Sequence, residues 1–90
     1  MKVKDLLTDE SKWTQGAFAR NSEGYSVHIN SCFASCWCLL GAIELCYPST
    51  YPGVANAVVD AVGGCDIHRW NDDPKRTFAE VRELIERLDI

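Results

Sequence analysis

Five cysteines and two histidines are the residues of this 90-residue sequence with the most versatile chemistry. Cys32 and Cys36 lie four residues apart, and Cys65 and His68 form a C-x-x-H pair. Because Zn²⁺ prefers thiolate and imidazole ligands, these four side chains are a candidate tetrahedral zinc site. Neither half has the tight paired spacing of known zinc sites, and free cysteine otherwise packs as a small hydrophobe. Core packing of the cysteines is the favoured interpretation, and zinc binding is the alternative.

The same residues raise the question of nucleophilic catalysis, which needs a thiol activated by a neighbouring base or cation. His28 precedes Cys32 by four residues, and His68 follows Cys65 by three. Such pairings arise readily by chance in a chain with five cysteines. No nucleophile elbow or glycine-rich phosphate loop accompanies them. We therefore assign no catalytic residue, and a non-enzymatic role is favoured over an enzyme.

A second set of residues suits binding. It combines two tryptophans with amide, guanidinium and carboxylate groups, and it consists of Trp13, Gln15, Arg20, Trp70, Asn71 and Asp72. An aromatic ring beside an arginine is typical of interface hot spots and of ligand stacking. The structural alternative is that both tryptophans cover the core with Arg20 packed along them, while the Asn-Asp-Asp-Pro run forms a turn. We predict this set to be the partner- or ligand-binding site.

The charge distribution disfavours several classes of partner. The chain has 13 acidic and 9 basic residues, and no lysine or arginine lies between Arg20 and Arg69. Direct binding of nucleic acid needs a basic surface that neutralises phosphates, and an anionic membrane makes the same demand. We therefore predict neither partner. An acidic surface that binds a protein is compatible with this balance.

Length and composition predict one compact domain over residues 1–90, since a chain of this size supports one hydrophobic core. Hydrophobic residues make up 47% of the chain, which is ordinary for a globular protein. No secretory signal is recognisable at the start, and the longest apolar run is too short to cross a bilayer. Because the cysteine number is odd and no secretory context is visible, we predict a reduced, cytoplasmic protein.

The elements that must position these residues are predicted from hydrophobic periodicity. Residues 3–10 have helical spacing, and residues 15–29 alternate around a turn as a β-hairpin would. Residues 31–47 are apolar on almost every face, which predicts a buried central helix. Within that helix, Gly41 predicts the close approach of a second backbone.

The second half of the chain predicts two further helices. One opens at Tyr51 with Pro52 in its first turn and ends at a pair of glycines. A loop over residues 65–76 follows. Thr77 and Glu80 form a capping box that opens an amphipathic last helix. The predicted fold is α+β, with about four helices around a buried central helix and a β-hairpin in the N-terminal half.

Three segments taken in order resemble a known family. Residues 13–20 read Trp-Thr-Gln-Gly-Ala-Phe-Ala-Arg, residues 38–42 read Cys-Leu-Leu-Gly-Ala, and residues 70–72 read Trp-Asn-Asp, with Thr77 and Val81 after them. This pattern resembles domain-of-unknown-function family 6197, which is found in actinobacteria and bacteriophages. The polar first helix and the cysteine-rich centre depart from the family. The resemblance implies a cytosolic accessory protein of phage or bacterial origin and supplies no activity.

Small size, acidic balance, the missing catalytic constellation and the resemblance together predict a non-enzymatic protein-interaction module. The phage setting implies a modulator or inhibitor of a host protein, including a component of host defence. The alternative is a module that binds zinc or a small, nucleotide-like ligand and acts as a homo-oligomer. The expected partner is a host or bacterial protein, a homodimer is left open, and no cofactor is expected apart from the zinc of the alternative.

Overall fold

Five short helices surround one hydrophobic core, with a two-stranded sheet beside it. The computed structural model describes all residues, 1–90. The helices are α1 (Val3–Leu6), α2 (Leu39–Cys46), α3 (Tyr51–Ala61), α4 (Ile67–Asp72) and α5 (Phe78–Leu88). A 3₁₀ turn spans Glu10–Lys12, and the antiparallel strands are β1 (Ala19–Arg20) and β2 (Cys36–Trp37). The predicted α+β class is confirmed. No helix has the length and apolar character needed to cross a membrane.

The core is built around α2, which packs against α1, α3 and α4. Leu39, Ala42 and Ile43 give this helix a fully buried face. Helix α5 closes the core through its own apolar stripe of Val81, Leu84 and Ile85. Burial of such large apolar side chains stabilises the fold by roughly 1.5–3 kcal/mol each. The prediction of a buried central helix in this part of the chain is therefore confirmed.

The length predicted for this central helix is wrong, because α2 begins only at Leu39. The preceding residues 31–37 form a turn and strand β2. Ser35 N donates to the Arg20 carbonyl at 2.9 Å, and Cys38 N donates to the Phe18 carbonyl at 3.1 Å. These bonds to β1 and its neighbour replace the helical bonds that the apolar run suggested. Cys32 and Cys36 consequently do not share a helical face.

Strand β1 has a partner on each side. Its ladder partner is β2, where Ala19 pairs with Trp37. On the other side Arg20 bridges to Ser26, and Val27 N donates to the Ala19 carbonyl at 3.0 Å. The predicted hairpin over residues 15–29 thus exists only around its turn, since the main pairing of β1 is with a segment outside that range.

Three further element boundaries can be compared with the periodicity. The first helix ends at Leu6, earlier than predicted, and the Asp9 carboxylate then accepts from Ser11 N at 2.9 Å to start the 3₁₀ turn. The loop predicted over residues 65–76 contains α4, whose buried residues Ile67 and Asn71 lie four positions apart. Helix α3 begins at Tyr51 as predicted.

The start of α5 confirms the predicted capping box. Thr77 Oγ1 accepts from Glu80 N at 3.3 Å, and the Glu80 carboxylate accepts from Thr77 N at 3.0 Å. These two bonds satisfy amides that have no partner within the helix. The bond from the Thr77 backbone amide is also the main cause that lowers the pKa of the Glu80 carboxyl.

Gly41 is required by the contact between α2 and the chain entering β1. A Cβ at this position would collide with the Phe18 carbonyl oxygen. The sequence prediction of a close backbone approach is therefore confirmed. The contact fixes the distance between the start of α2 and the backbone of Phe18.

We expect Gly41→Ala to lower the free energy of unfolding by about 1–3 kcal/mol, because the added methyl group forces the two backbones apart. Urea unfolding followed by circular dichroism measures this loss. Gly53→Ala in α3 is the matched control, since a methyl group there would meet no atom within 4 Å. Alanine at this position should stabilise the helix by up to about 1 kcal/mol. Equal effects of the two substitutions would contradict the close contact.

Asp89 links the two ends of the chain. Its backbone is left-handed, with φ 56°, and its carboxylate pairs with Lys2 Nζ at 2.9 Å and with Lys4 Nζ. The hydrogen bond from Lys4 is the main reason that the pKa of Asp89 falls to about 2. All three side chains are partly exposed, so water screens the pairs.

We expect Asp89→Asn to lower the free energy of unfolding by an amount that depends on pH. The folded pKa lies below the unfolded value of about 3.8, so the ion pairs stabilise the fold above that value and lose their effect as the pH falls towards 2. Asparagine tolerates the left-handed conformation. The urea midpoints of variant and wild type should therefore differ at pH 7 and converge in acid. Asp60→Asn is the control, because this exposed carboxylate belongs to no ion pair. A difference between Asp89→Asn and wild type that is independent of pH would refute the assignment.

Candidate functional site

Asn71 is the one polar side chain in the buried set, and it is fully buried. Its Oδ1 accepts from Trp13 Nε1 at 2.6 Å and from Leu39 N at 3.0 Å. Its Nδ2 donates to the Thr14 carbonyl at 3.1 Å and to Asp72 Oδ1 at 2.9 Å. An amide side chain offers two donors and two acceptor lone pairs, so its capacity is used completely. We call this contact between residues 13–14, the first residue of α2 and helix α4 the Asn71 junction.

Gln15 extends the junction along the end of α4. Its Nε2 donates to the carbonyls of Asn71 at 2.7 Å and Asp73 at 2.9 Å. The Asn71 carbonyl at the end of α4 lacks a partner within the helix, so this side chain satisfies it. The Asp73 carbonyl also accepts from Arg76 N at 2.8 Å. Gly16 N then donates to Asp72 Oδ1 at 3.0 Å. Residues 13–16 are thereby fixed against α4 by side chains on both segments.

The two remaining residues of the predicted binding set have other partners. The Arg20 guanidinium donates to Thr14 Oγ1 at 3.2 Å, and to the carbonyls of Gln15 at 3.1 Å and Gly24 at 2.9 Å. Trp13 and Trp70 both pack against the hydrophobic core, as the structural alternative predicts. The cation over Trp70 is Arg76, whose guanidinium carbon lies 4.0 Å from the ring centroid.

The predicted binding residues therefore do lie together, but they mainly hydrogen-bond to one another. Trp13, Gln15, Asn71 and Asp72 converge at the junction, and Arg20 joins them through the Gln15 carbonyl. Their polar groups are largely occupied within the protein. We conclude that this set positions a neighbouring surface. Among its side-chain oxygens, Asp72 Oδ2 and Gln15 Oε1 have no hydrogen-bond partner.

That surface is a groove at Phe18. Gly16, Ala17, Phe18, Ser26, Cys38, His68 and Asp72 line a cavity of about 360 Å³. A second cavity of about 570 Å³ shares Phe18 and Ser26 and continues along residues 27–29 to Glu44. We call the two together the Phe18 groove. The volume of each lies in the range typical of binding sites in proteins.

Phe18 faces this groove from the bend that precedes β1. The next residue, Ala19, is the first of β1 and is fully buried. Phe18 is 51% exposed, although its backbone carbonyl is held by Cys38 N at 3.1 Å. A large aromatic side chain is thus presented on a fixed backbone.

The electrostatic character of the Phe18 groove is acidic. Asp72 and Glu44 stand towards its two ends, and no lysine or arginine lines either cavity. Asp72 Oδ2 has no hydrogen-bond partner, and no cation pairs with this carboxylate. The long stretch without basic residues in the sequence is the reason, since most of the lining comes from it.

Cys38 caps helix α2 with its thiol sulfur. Its Sγ accepts from Gly41 N at 3.3 Å, as a capping oxygen would. Burial is the main cause that raises the pKa of the Cys38 thiol, and the Asp72 carboxylate adds to it. This direction is opposite to the depressed pKa that is typical of nucleophilic cysteines.

The predicted zinc ligands are not brought together. Cys32 is exposed in a turn, Cys36 lies on β2, Cys65 precedes α4, and His68 is exposed on α4. No group of three or more histidine, cysteine, aspartate or glutamate side chains has a geometry that would hold a metal ion. The predicted core packing of the cysteines is confirmed for Cys38, which is buried, and is wrong for Cys32, which is exposed.

Phe18 is the functional candidate that the sequence reasoning missed. The structure places it in the bend before β1, which neither the residue types nor the spacing of residues 13–20 marked. Hydrophobicity alone assigns this large side chain to the core.

One comparison with known proteins gives a match. The model of a family of unknown function, DUF6197, covers residues 1–88 of the chain. No curated protein and no solved structure matches significantly.

We expect Asn71→Ala to reduce the free energy of unfolding by about 3 kcal/mol or more, because it leaves three groups without a partner at roughly 1–3 kcal/mol each. These groups are Trp13 Nε1, Leu39 N and the Thr14 carbonyl. Urea unfolding measures the loss. Asn56→Ala on the exposed side of α3 is the control and should stay within about 0.5 kcal/mol of wild type. An Asn71→Ala variant as stable as this control would contradict the junction.

Proposed function

We propose that the chain, which belongs to the DUF6197 family of unknown function, is a non-enzymatic protein-interaction module that works in the cytoplasm. The observation that carries this proposal is Phe18, a half-exposed aromatic side chain at the centre of an acidic groove. Exposed apolar groups of this kind mark interaction surfaces when they lie in a shaped recess.

The energetics of Phe18 favour a role as an anchor. Complete burial of a phenylalanine side chain contributes roughly 1.5–3 kcal/mol. Interface energy concentrates in a few central aromatic or arginine residues surrounded by contacts that exclude water. The rim of the Phe18 groove supplies such contacts through Ser26, His28 and Glu44.

The rigidity of the groove adds to this argument. Phe18 is held through its carbonyl by the residue that follows β2, and the Asn71 junction holds the wall formed by Gly16 and Asp72. A surface that is already ordered loses little conformational entropy when it binds. The one buried polar side chain of the fold therefore serves to position this face.

The partner that we propose is a bacterial host protein, with the chain acting as a phage-encoded modulator or inhibitor, including of a defence component. The family resemblance and the small acidic surface support this choice. The whole chain exposes 5158 Å². A standard interface takes about 800 Å² from each partner. One face centred on Phe18 is therefore large enough to block a functional surface of the host protein.

The nucleotide- or zinc-binding alternative receives less support. The carboxylates of Asp72 and Glu44 would repel the phosphates of a nucleotide. The cysteine and histidine side chains named as zinc ligands are dispersed. A second copy of the chain as the occupant is an outcome that the following experiment distinguishes.

We expect Phe18→Ser to abolish partner capture without unfolding the protein, because the side chain is 51% exposed. The tagged chain is expressed in an actinobacterial host, cross-linked, and its co-purifying proteins are quantified by mass spectrometry. A specific partner should fall at least about tenfold with the variant, which corresponds to about 1.4 kcal/mol.

Phe33→Ser is the matched control, because Phe33 is 74% exposed and lines neither cavity. It should retain the partner at the wild-type level. Equal recovery with both variants would contradict the role of the Phe18 groove. Recovery of the chain itself as the cross-linked species would replace a host partner by a homodimer.

A further inference from the structure

Asp72 is fixed in place, yet its charge is not compensated within the protein. Its Oδ1 accepts from Gly16 N at 3.0 Å and from Asn71 Nδ2 at 2.9 Å, and its Oδ2 has no partner. Six of the 13 acidic side chains pair with a lysine or arginine, namely Asp66, Asp73, Glu80, Glu83, Glu86 and Asp89, and Asp72 is not among them. Asp72 therefore offers an immobilised charged acceptor beside an open cavity.

The Phe18 ring lies on the wall of the same cavity. The cavity of about 360 Å³ is lined by both residues, and Phe18 is 51% exposed. A carboxylate and an aromatic ring form together the environment that a planar cation prefers, since the ring attracts positive charge and the carboxylate accepts its hydrogen bonds. The two groups come from different elements, Asp72 from α4 and Phe18 from the segment before β1.

We propose that the groove binds an arginine side chain of the partner protein, with its guanidinium between Asp72 and Phe18. This inference rests on the proposed interaction function and names the chemistry of the partner at that site. Arginine fits better than lysine because its planar group stacks on a ring while its N–H groups remain free for the carboxylate.

The charged groups around the cavity favour a cation. Glu44 adds a second carboxylate further along the groove. The basic residue of β1, Arg20, uses its donors on Thr14, Gln15 and Gly24 and is not part of the lining. Arg69 of α4 pairs with Asp66 instead of Asp72. The two histidines of the chain, His28 and His68, also line the groove.

The experiment uses the peptide acetyl-Leu-Arg-Leu-amide and its citrulline counterpart, which has nearly the same shape without the charge. The full ¹⁵N-labelled chain is titrated with each peptide to about 10 mM, which detects binding weaker than millimolar. We expect saturable shifts of the Gly16, Phe18 and Ser26 amides with the arginine peptide. Citrulline should weaken this binding at least about tenfold.

Asp72→Asn is the decisive variant, because its amide oxygen still accepts from Gly16 N while the charge is lost. It should bind the arginine peptide as weakly as the wild type binds the citrulline peptide. Asp60→Asn, an exposed carboxylate outside the groove, should bind like wild type. Equal affinity for both peptides, shifts confined to other regions, or no shift at all would overturn the proposal.

The two proposals fail in different ways. If the captured partner is lost with Phe18→Ser and retained with Asp72→Asn, the interaction module stands and the arginine site is wrong. If both variants retain the partner, the interaction function at this groove is wrong, whatever the peptides show. Loss with both variants, together with selective binding of the arginine peptide, supports both.

Discussion

A buried amide that lacks hydrogen-bond partners costs several kcal/mol, and this constraint on Asn71 organises one side of the molecule. Its four hydrogen bonds reach Trp13, Thr14, Leu39 and Asp72. No buried side-chain polar atom is left without a partner. The bonds can form together only when residues 13–14, the start of α2 and helix α4 meet at one point. The position of Asn71 therefore determines which three segments are neighbours.

The Phe18 groove results from the contact between these three segments. Residues 15–16 must follow the end of α4 once residues 13–14 are fixed, and Gly16 is then bound by Asp72. The contact of Gly41 with the Phe18 backbone sets the second wall, because α2 is held at the same junction. Structural polar residues and binding residues are thus adjacent, and Asp72 belongs to both groups. The structural residues hydrogen-bond to one another, whereas the Phe18 ring and Asp72 Oδ2 are left without such partners.

Local signals predicted the parts of the fold that local physics decides. The capping box of α5, the start of α3 at Tyr51 and the close approach at Gly41 depend on neighbouring residues or on glycine itself. The start of α2 was not predictable, because residues 31–37 exchange helical bonds for bonds to β1, which is distant in sequence. Helix α4 was missed because its buried face consists of only two residues, one of them polar.

The candidate site was predictable in the same partial way. Polar and aromatic types marked Trp13, Gln15, Asn71 and Asp72 as one set, and the four residues do lie together in the structure. The hydrogen bonds among these residues depend on three-dimensional geometry, which residue types and spacing in the sequence do not reveal. Phe18 was missed for the opposite reason, since its type predicts burial, whereas it lies in the bend before β1 with its side chain half-exposed.

The hydrogen exchange of the three tryptophan indoles, measured by NMR in D₂O, tests most directly whether the Asn71 junction is a permanent part of the folded state. All three rings are half-buried, but Trp13 donates to Asn71 and Trp37 donates to the Ile29 carbonyl, whereas Trp70 Nε1 has no acceptor. We expect the Trp13 indole proton to exchange as slowly as the Leu39 amide, by global unfolding, and the Trp70 indole proton to exchange rapidly. A Trp13 indole that exchanges as fast as that of Trp70 would contradict the account, because the junction would then open while the rest of the core stays folded.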